Sequence, residues 1–317
     1  MRSVYKYALV AAFAAAALPA MWADTAPIPY PNKCFCGSLT DYKQSWIANT
    51  GGVPKNHVPH SIRSIFVQPD GRVVTVCEWD EGGTNVGIFQ DNKIIAIPPG
   101  SGTGSYGRNS LYCITADENY VYQPIRFNGR SGNDNLNSNG LRQFPQNSSD
   151  VEWQAVHRYD ARTGANAVFP NGYGPGANMF LVATQAGRHI QGIAVTDKYL
   201  IVSLPANPFD SESTDSLMVY DKASMSNVPL RRFRVDATGF LYADKKGYVW
   251  CMQGKRLVPI NVNTGAVREQ SVIEFPADVD PRSFSIDTSS GRERILVANH
   301  GKDCNVLIYT NIYSKPT

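Results

Sequence analysis

The sequence predicts an all-β fold built from repeated four-stranded antiparallel blades, and three observations carry that prediction. Residues 61–97 read as four short strands, 62–67, 72–77, 86–90 and 93–97, punctuated by Asp70-Gly71 and Asp91-Asn92. The strand–turn–strand unit that opens this stretch, SIFVQPDGRVVTV, recurs four more times along the chain. A further strand ending near Asp or Asn follows each copy. A four-stranded unit of that length is one blade of a β-propeller.

The chain opens on a different pattern. Arg2 and Lys6 precede an apolar run of 11 residues, 8–18, and Ala20 or Ala23 ends a small-residue cleavage region. Residues 1–23 therefore read as a secretory signal peptide, too short to span a membrane, and the protein is expected to be periplasmic or extracellular. Residues 24–41 read as an extended leader, and residues 42–317 as the propeller domain. The segment 42–49 (YKQSWIAN) reads as an isolated strand. It is the economical choice for the outer strand that the last blade lacks.

The first blade follows at 61–97. The second copy is LYCITADENYVYQPI from Leu111, and the third is IQGIAVTDKYLIVSL from Ile190. The fourth is ATGFLYADKKGYVWCM from Ala237 and the fifth SFSIDTSSGRERILVA from Ser283. Turn residues Asp70, Asp117, Asp197 and Asp244 are spaced by 47, 80 and 47 positions, and the last turn, near Ser289, lies 45 further on. The long interval is one period plus the Asn-, Gly- and Ser-rich insertion 128–150. Third strands recur as NVGIFQD, WQAVHRYDARTG, SLMVYDKAS, RLVPINVNTG and NVLIYTN. Five blades are visible, and the ring holds five or six.

Composition limits the function classes. At 43% hydrophobic and 18% charged, the 317 residues can fill a core, so disorder is not expected. Without Arg2 and Lys6 the 30 basic residues fall to 28 against 27 acidic ones. A near-neutral chain without a Lys/Arg block does not suit nucleic acid. No second stretch is long and apolar enough to span a membrane. Six cysteines fit an oxidising compartment, and Cys34-Phe35-Cys36 lacks zinc-site spacing. Disulfides are expected over free thiols, with 15 connectivities open to six cysteines. Cys77 and Cys113, and Cys251 and Cys304, are within reach on neighbouring blades, while Cys34 and Cys36 are too close in sequence for an easy bridge to each other.

These repeats resemble NHL-type and gluconolactonase/regucalcin-like propellers. SWIANTGG followed by VQPDGRVVTVCEWDEGG is similar to secreted bacterial propellers with a WDE turn in the first blade. The resemblance implies architecture over most of 45–312. Gluconolactonase-like relatives use an acidic and Asn metal set spread over several blades. Glu78 or Asp80 can stand at one such position, but the others have no residue-by-residue match here.

Strand order then places a candidate site. With strands running from inner to outer, the second-to-third-strand links share one face with the links between blades. That face holds 50–60, 78–85, 100–109, 128–150, 183–189, 205–215, 252–254 and 299–303, and the tight turns lie opposite. Long loops on a rigid ring are where ligands usually bind. Glu78, Asp80 and Glu81 around Trp79 offer hard oxygen ligands for Ca²⁺ or acid–base groups. A solvated turn with Trp79 packed between blades is the simpler alternative. His57, His60, His189 and His300 map to the same face as base, metal ligand or polar contact. Arg108 and Arg188 can clamp an anionic group through the guanidinium fork, or pair with surface carboxylates. Signatures of a Ser nucleophile elbow and of a His-Glu-x-x-His zinc site are absent from the sequence.

The expected function is a secreted binding propeller whose long-loop face takes a small ligand, a glycan or a protein partner. One alternative is a metal-dependent hydrolase or lactonase, with Glu78, Asp80 and Glu81 near the axis and His57, His189 or His300 as base. The other is a scaffold module of a longer secreted protein.

Overall fold

Every described strand belongs to one of five antiparallel sheets, each laid out as a blade. The structure is a computed structural model, and it describes residues 28–29, 62–78, 84–90, 93–98, 108–110, 113–128, 152–172, 179–183, 189–206, 213–287, 293–301, 306–310 and 312–313. The first strand, β1 (Ile28–Pro29), pairs with a strand at the far end of the chain. Blade 1 follows as β2 (Ile62–Val67), β3 (Val73–Glu78), β4 (Thr84–Gln90) and β5 (Lys93–Ala96). Blade 2 holds β6 (Arg108–Ser110), β7 (Thr115–Ala116), β8 (Tyr120–Asn128), β9 (Glu152–Asp160) and β10 (Met179–Ala183).

Blade 3 is β11 (Gly192–Val195), β12 (Tyr199–Leu204), β13 (Ser216–Asp221) and β14 (Arg231–Arg234). Blade 4 is β15 (Leu241–Ala243), β16 (Tyr248–Gln253), β17 (Arg256–Asn261) and β18 (Ile273–Glu274). Blade 5 is β19 (Pro281–Asp287), β20 (Arg294–Asn299) and β21 (Val306–Thr310), with β1 as its outer strand. The described residues contain no α-helix, only a single 3₁₀ turn at Glu269–Ser271.

Inner strands β7, β11, β15 and β19 lie side by side in turn, so the blades are arranged about a common axis. Ring geometry follows from alternation: each strand turns one set of side chains to the preceding blade and the other set to the next. Val74, Val76 and Ile88 of blade 1 pack with Val121 and Tyr159 of blade 2. Tyr122 and Val156, on the opposite side of blade 2, pack with Ile193, Val202 and Tyr220 of blade 3. The same logic joins blade 3 to blade 4 through Ile201, Leu217, Val249 and Val258, and blade 4 to blade 5 through Trp250, Leu257, Ile295 and Val297. Blade 1 also reaches blade 4, where the Phe66 ring stacks on Tyr242 at 5.6 Å.

Three local features follow from the chemistry of single residues. Pro124 in β8 has no N–H to give a neighbouring strand, and it falls between the pairings of β6, which ends opposite Ile125, and β7, which starts opposite Tyr122. Third strands leave through Asx turns. Asp160 caps the amides of Arg162 and Thr163, Asp221 those of Ala223 and Ser224, and Asn261 those of Asn263 and Thr264. At the tight turns, Asp117 caps Asn119 and Tyr120, and Asp244 caps Lys246 and Tyr248.

The structure corrects three expectations and leaves the cysteine pairing outside what it describes. The outer strand of blade 5 is β1, with Ile28 opposite Ile308, not residues 42–49, which lie outside the described residues. In blade 3 the capping residue is Thr196, whose Oγ1 accepts from Lys198 and Tyr199, so the repeat is anchored one residue before Asp197. Cys113 and Cys251 lie buried against blade 3, and their expected partners, the side chain of Cys77 and the whole of Cys304, lie outside the described residues. Finally, the face with the tight turns also carries the third-to-fourth-strand connections, whose described residues include 161–172, 222–230 and 262–272. Loop length alone therefore does not separate the two faces.

Candidate functional site: the long-loop face

Chemistry separates the two faces more clearly than loop length does. On the tight-turn face a set of charged and polar groups forms fasteners from blade to blade. Arg72, 3% exposed, bonds Asp70 in its own blade and the carbonyls of Glu118 and Ala161 in blade 2. Lys222 of blade 3 bonds Asp117 Oδ2 of blade 2 at 2.7 Å, and that oxygen also accepts from the Tyr122 hydroxyl at 3.0 Å. The Tyr199 hydroxyl of blade 3 donates to Asn263 of blade 4 at 3.2 Å. Lys246 of blade 4 pairs with Glu293 of blade 5 at 3.3 Å. Burial and the Asp117 carboxylate both push the Tyr122 hydroxyl pKa well up, keeping it a neutral donor.

The opposite face presents free-standing charge near the axis. Its sharpest cluster sits where the chain enters inner strand β19 and leaves β20. Asn299 is buried, and its Oδ1 accepts from the amides of Asp280 at 2.9 Å and Gly301 at 2.8 Å. The His300 amide donates to the Asp280 carbonyl at 2.8 Å. A Cβ at Gly301 would lie 2.1 Å from the Asp278 carbonyl oxygen, so only glycine fits beside that loop. On this locked backbone, Arg282 pairs with Asp280 Oδ2 at 2.7 Å, and His300 Nδ1 lies 3.9 Å from the same oxygen. The Arg282 and His300 side chains remain 64% and 69% exposed. One carboxylate thus orients a guanidinium fork and an imidazole toward solvent, an arrangement suited to a carboxylate, sulfate or sugar hydroxyl.

Blade 3 offers a second rigid element on this face. Asp215 accepts from the amides of Ala206 at 2.7 Å and Thr238 at 2.9 Å, closing its own loop and tying it to the link between blades 3 and 4. Gly192 and Gly239 let the inner strands of blades 3 and 4 approach closely, since a Cβ on Gly192 would meet the Gly239 carbonyl at 2.1 Å.

Of the residues singled out from sequence, His300 lies in this cluster and His189 is half-buried just before β11. Glu78 is the last residue of β3 and Arg108 the first of β6; their side chains lie outside the described residues. His57, His60, Trp79, Asp80, Glu81 and Arg188 lie outside them altogether. Arg282, Asp280 and Asn299 were missed. Their signal was present in Asp280-Pro281-Arg282, a carboxylate two residues before an arginine at the start of an inner strand. Among the described residues no group of three or more His, Cys, Asp or Glu is placed to hold a metal ion.

Fold and site together define a five-bladed β-propeller with a polar cluster beside the axis on its long-loop face. No protein-family profile matches the chain. No curated protein matches it either. Solved structures that it matches include a glutaminyl cyclase from Myxococcus xanthus, at 10% identity and a TM-score of 0.42, covering 80% of this chain and 94% of that one. A gluconolactonase from Xanthomonas campestris matches at 12% identity and 0.41, covering 78% and 71%. A polysaccharide lyase matches at 10% and 0.39, covering 78% and 56%. The fold assignment rests on the five sheets themselves.

Proposed function

We propose that this chain is an exported binding propeller whose long-loop face takes a small ligand, a glycan or a protein partner. The observation that supports it is the contrast between the faces. Arg72, Lys222, Tyr199 and Lys246 on the tight-turn face join blades, whereas Arg282 and His300 stand exposed around Asp280 on a backbone held by Asn299. A rigid ring that presents exposed, oriented side chains beside its axis loses little entropy when it binds. Export follows from the charged and apolar pattern of residues 1–23.

The test is binding of residues 24–317 to an array of acidic and neutral glycans, beside Arg282→Ala and His300→Ala. Loss of about tenfold or more in affinity in either variant, with an unchanged melting midpoint, supports this face. Binding that neither variant weakens moves the site elsewhere. Melts in EDTA and in millimolar Ca²⁺ accompany the array. A Ca²⁺-dependent rise that Glu78→Ala abolishes would favour the metal-dependent hydrolase instead.

A further inference from the structure

The rim of blade 3 departs from the rest of the ring in charge. Its outer strand, β14, reads Arg231-Arg232-Phe233-Arg234 and ends its sheet, so one backbone edge has no partner strand among the described residues. No other described strand carries three like charges. Four arginines elsewhere, Arg72, Arg256, Arg282 and Arg294, each pair with a carboxylate. Among the described residues no arginine of β14 has such a partner. Arg231 stacks on the Tyr199 ring at 5.4 Å, and Arg232 Nε donates to the Ser216 hydroxyl at 2.9 Å.

Charge on an edge strand can simply protect a sheet from stray pairing. Here the chain also leaves apolar surface open directly beside the charges, with Val228 70% and Leu230 54% exposed. Protection does not call for that surface, whereas a docking strip does.

The backbone of this edge fits an added strand. The Val235 amide donates to the Asp215 carbonyl, one step beyond the pair formed by Arg234 and Ser216. Ladder bonds alternate along an antiparallel pair. Phe233, like Val235, therefore bonds inward to β13, and the N–H and C=O groups of Arg232 and Arg234 point out to the open edge. The side chains of the same two residues are exposed, while Arg231 and Phe233, which alternate with them, are half-buried. A strand that bonds this edge sets every second side chain beside an exposed guanidinium group.

We propose that the open edge of β14 docks an extended acidic segment of a partner protein. The segment adds to blade 3 as a further strand, with two carboxylates two residues apart against Arg232 and Arg234 and an apolar residue against Leu230. Main-chain bonds then supply affinity and the alternate side chains supply selectivity. The surface is separate from the long-loop face and stands without it.

The test measures binding of the fluorescein-labelled peptide SLTETES to the full chain. Three comparisons accompany it: the basic peptide SLTKTKS, a SLTETES copy N-methylated at both glutamates, and an Arg232→Glu/Arg234→Glu variant. The expected result is binding of SLTETES that weakens at high salt and falls about tenfold or more in all three comparisons, with Arg282→Ala binding as the native chain does. No binding at millimolar peptide overturns the proposal, as does equal binding of the basic peptide. Equal binding of the N-methylated copy overturns it too, because the attraction is then to charge alone and not to a strand edge. The peptide comparisons need only the native chain, so they decide even if the double variant does not fold.

Discussion

The Tyr313 hydroxyl donates to Oδ2 of Asp244, so the last described residue of the chain fastens blade 5 to the turn of blade 4. The same oxygen accepts from the Trp250 indole at 2.9 Å, and Oδ1 caps Lys246 and Tyr248. Arg268 donates to the Tyr313 carbonyl at 2.8 Å, and the Lys246 ammonium sits 3.7 Å from the ring centre. One carboxylate holds a turn, a core tryptophan and the chain's last described segment.

Tyr313→Phe should therefore lower stability by about 1.5–3 kcal/mol, the range for a hydrogen bond to a charged acceptor. Asp244→Ala should cost more, because it also orphans Trp250 and the turn amides. Burial first, then the Asp244 bond and charge, push the Tyr313 pKa well above its ordinary value of 10. A raised pKa in the folded state means its stabilisation is full below the unfolded pKa and is lost as pH rises beyond it. Denaturant melts should show stability falling above about pH 10, less steeply in Tyr313→Phe. Equal slopes in the two proteins would separate Tyr313 from that decline.

Asp160 and Asn261 perform the same turn in different blades, which makes a substitution between them informative. Burial pushes the Asp160 carboxyl up, but bonds from Thr163 and Arg162 and the Arg162 charge outweigh it and leave the pKa below 3.8. Asp160→Asn should be nearly neutral at pH 7, because the amide oxygen still caps both backbone groups. Asp160→Ala should cost about 1 kcal/mol. A depressed carboxylate pKa gives stability present above the unfolded pKa and lost as pH falls through the folded one. The gap between native and Asp160→Asn should thus change only below about pH 4.

Burial pushes the thiols of Cys113 and Cys251 each up to about 12. At pH 8 only about one in ten thousand of each is a thiolate, the reactive form. Native protein exposed to iodoacetamide should leave both unlabelled. Denaturation without reductant should then label both, whereas labelling that appears only after reduction would show that each is held in a disulfide.

Sequence legibility followed hydrogen-bonded surroundings. The limits of β2 were readable to the residue, and β3, β4 and β5 to within a residue or two, because period-two patterning is strong where both faces are packed. Outer strands were harder. Arg231–Arg234 of β14 carries three arginines and β18 only two residues, since an edge strand needs one partner and exposes half its surface. The same weakness hid β1 behind the aromatic residues of 42–49. Thr196 escaped because the neighbouring Asp197 is the commoner capping residue, while a threonine hydroxyl does the same work. Cysteine pairing was not legible for a different reason: sequence proximity of blades says nothing about which side of a strand a thiol faces, and the Cys77 side chain and Cys304 lie outside the described residues. Of the site, His300 was legible and Arg282 was not, because the carboxylate that orients it belongs to the loop before the strand.

Gly265 and Gly71 both have φ in the left-handed region, at +74° and +86°, yet they should respond differently to alanine. A Cβ at Gly71 would meet nothing within 4 Å, whereas at Gly265 it would lie 2.4 Å from the Phe233 ring. Strain alone costs roughly 1–2 kcal/mol. Met225 shows that the turn tolerates a side chain where there is room, holding φ at +42° in the equivalent turn of blade 3. Gly71→Ala should therefore cost about 1 kcal/mol and Gly265→Ala about 3 kcal/mol or more, since Phe233 bridges blades 3 and 4 and must shift. Paired denaturant melts measure the difference. Equal losses would mean that Phe233 yields freely and that backbone strain sets the cost at both turns.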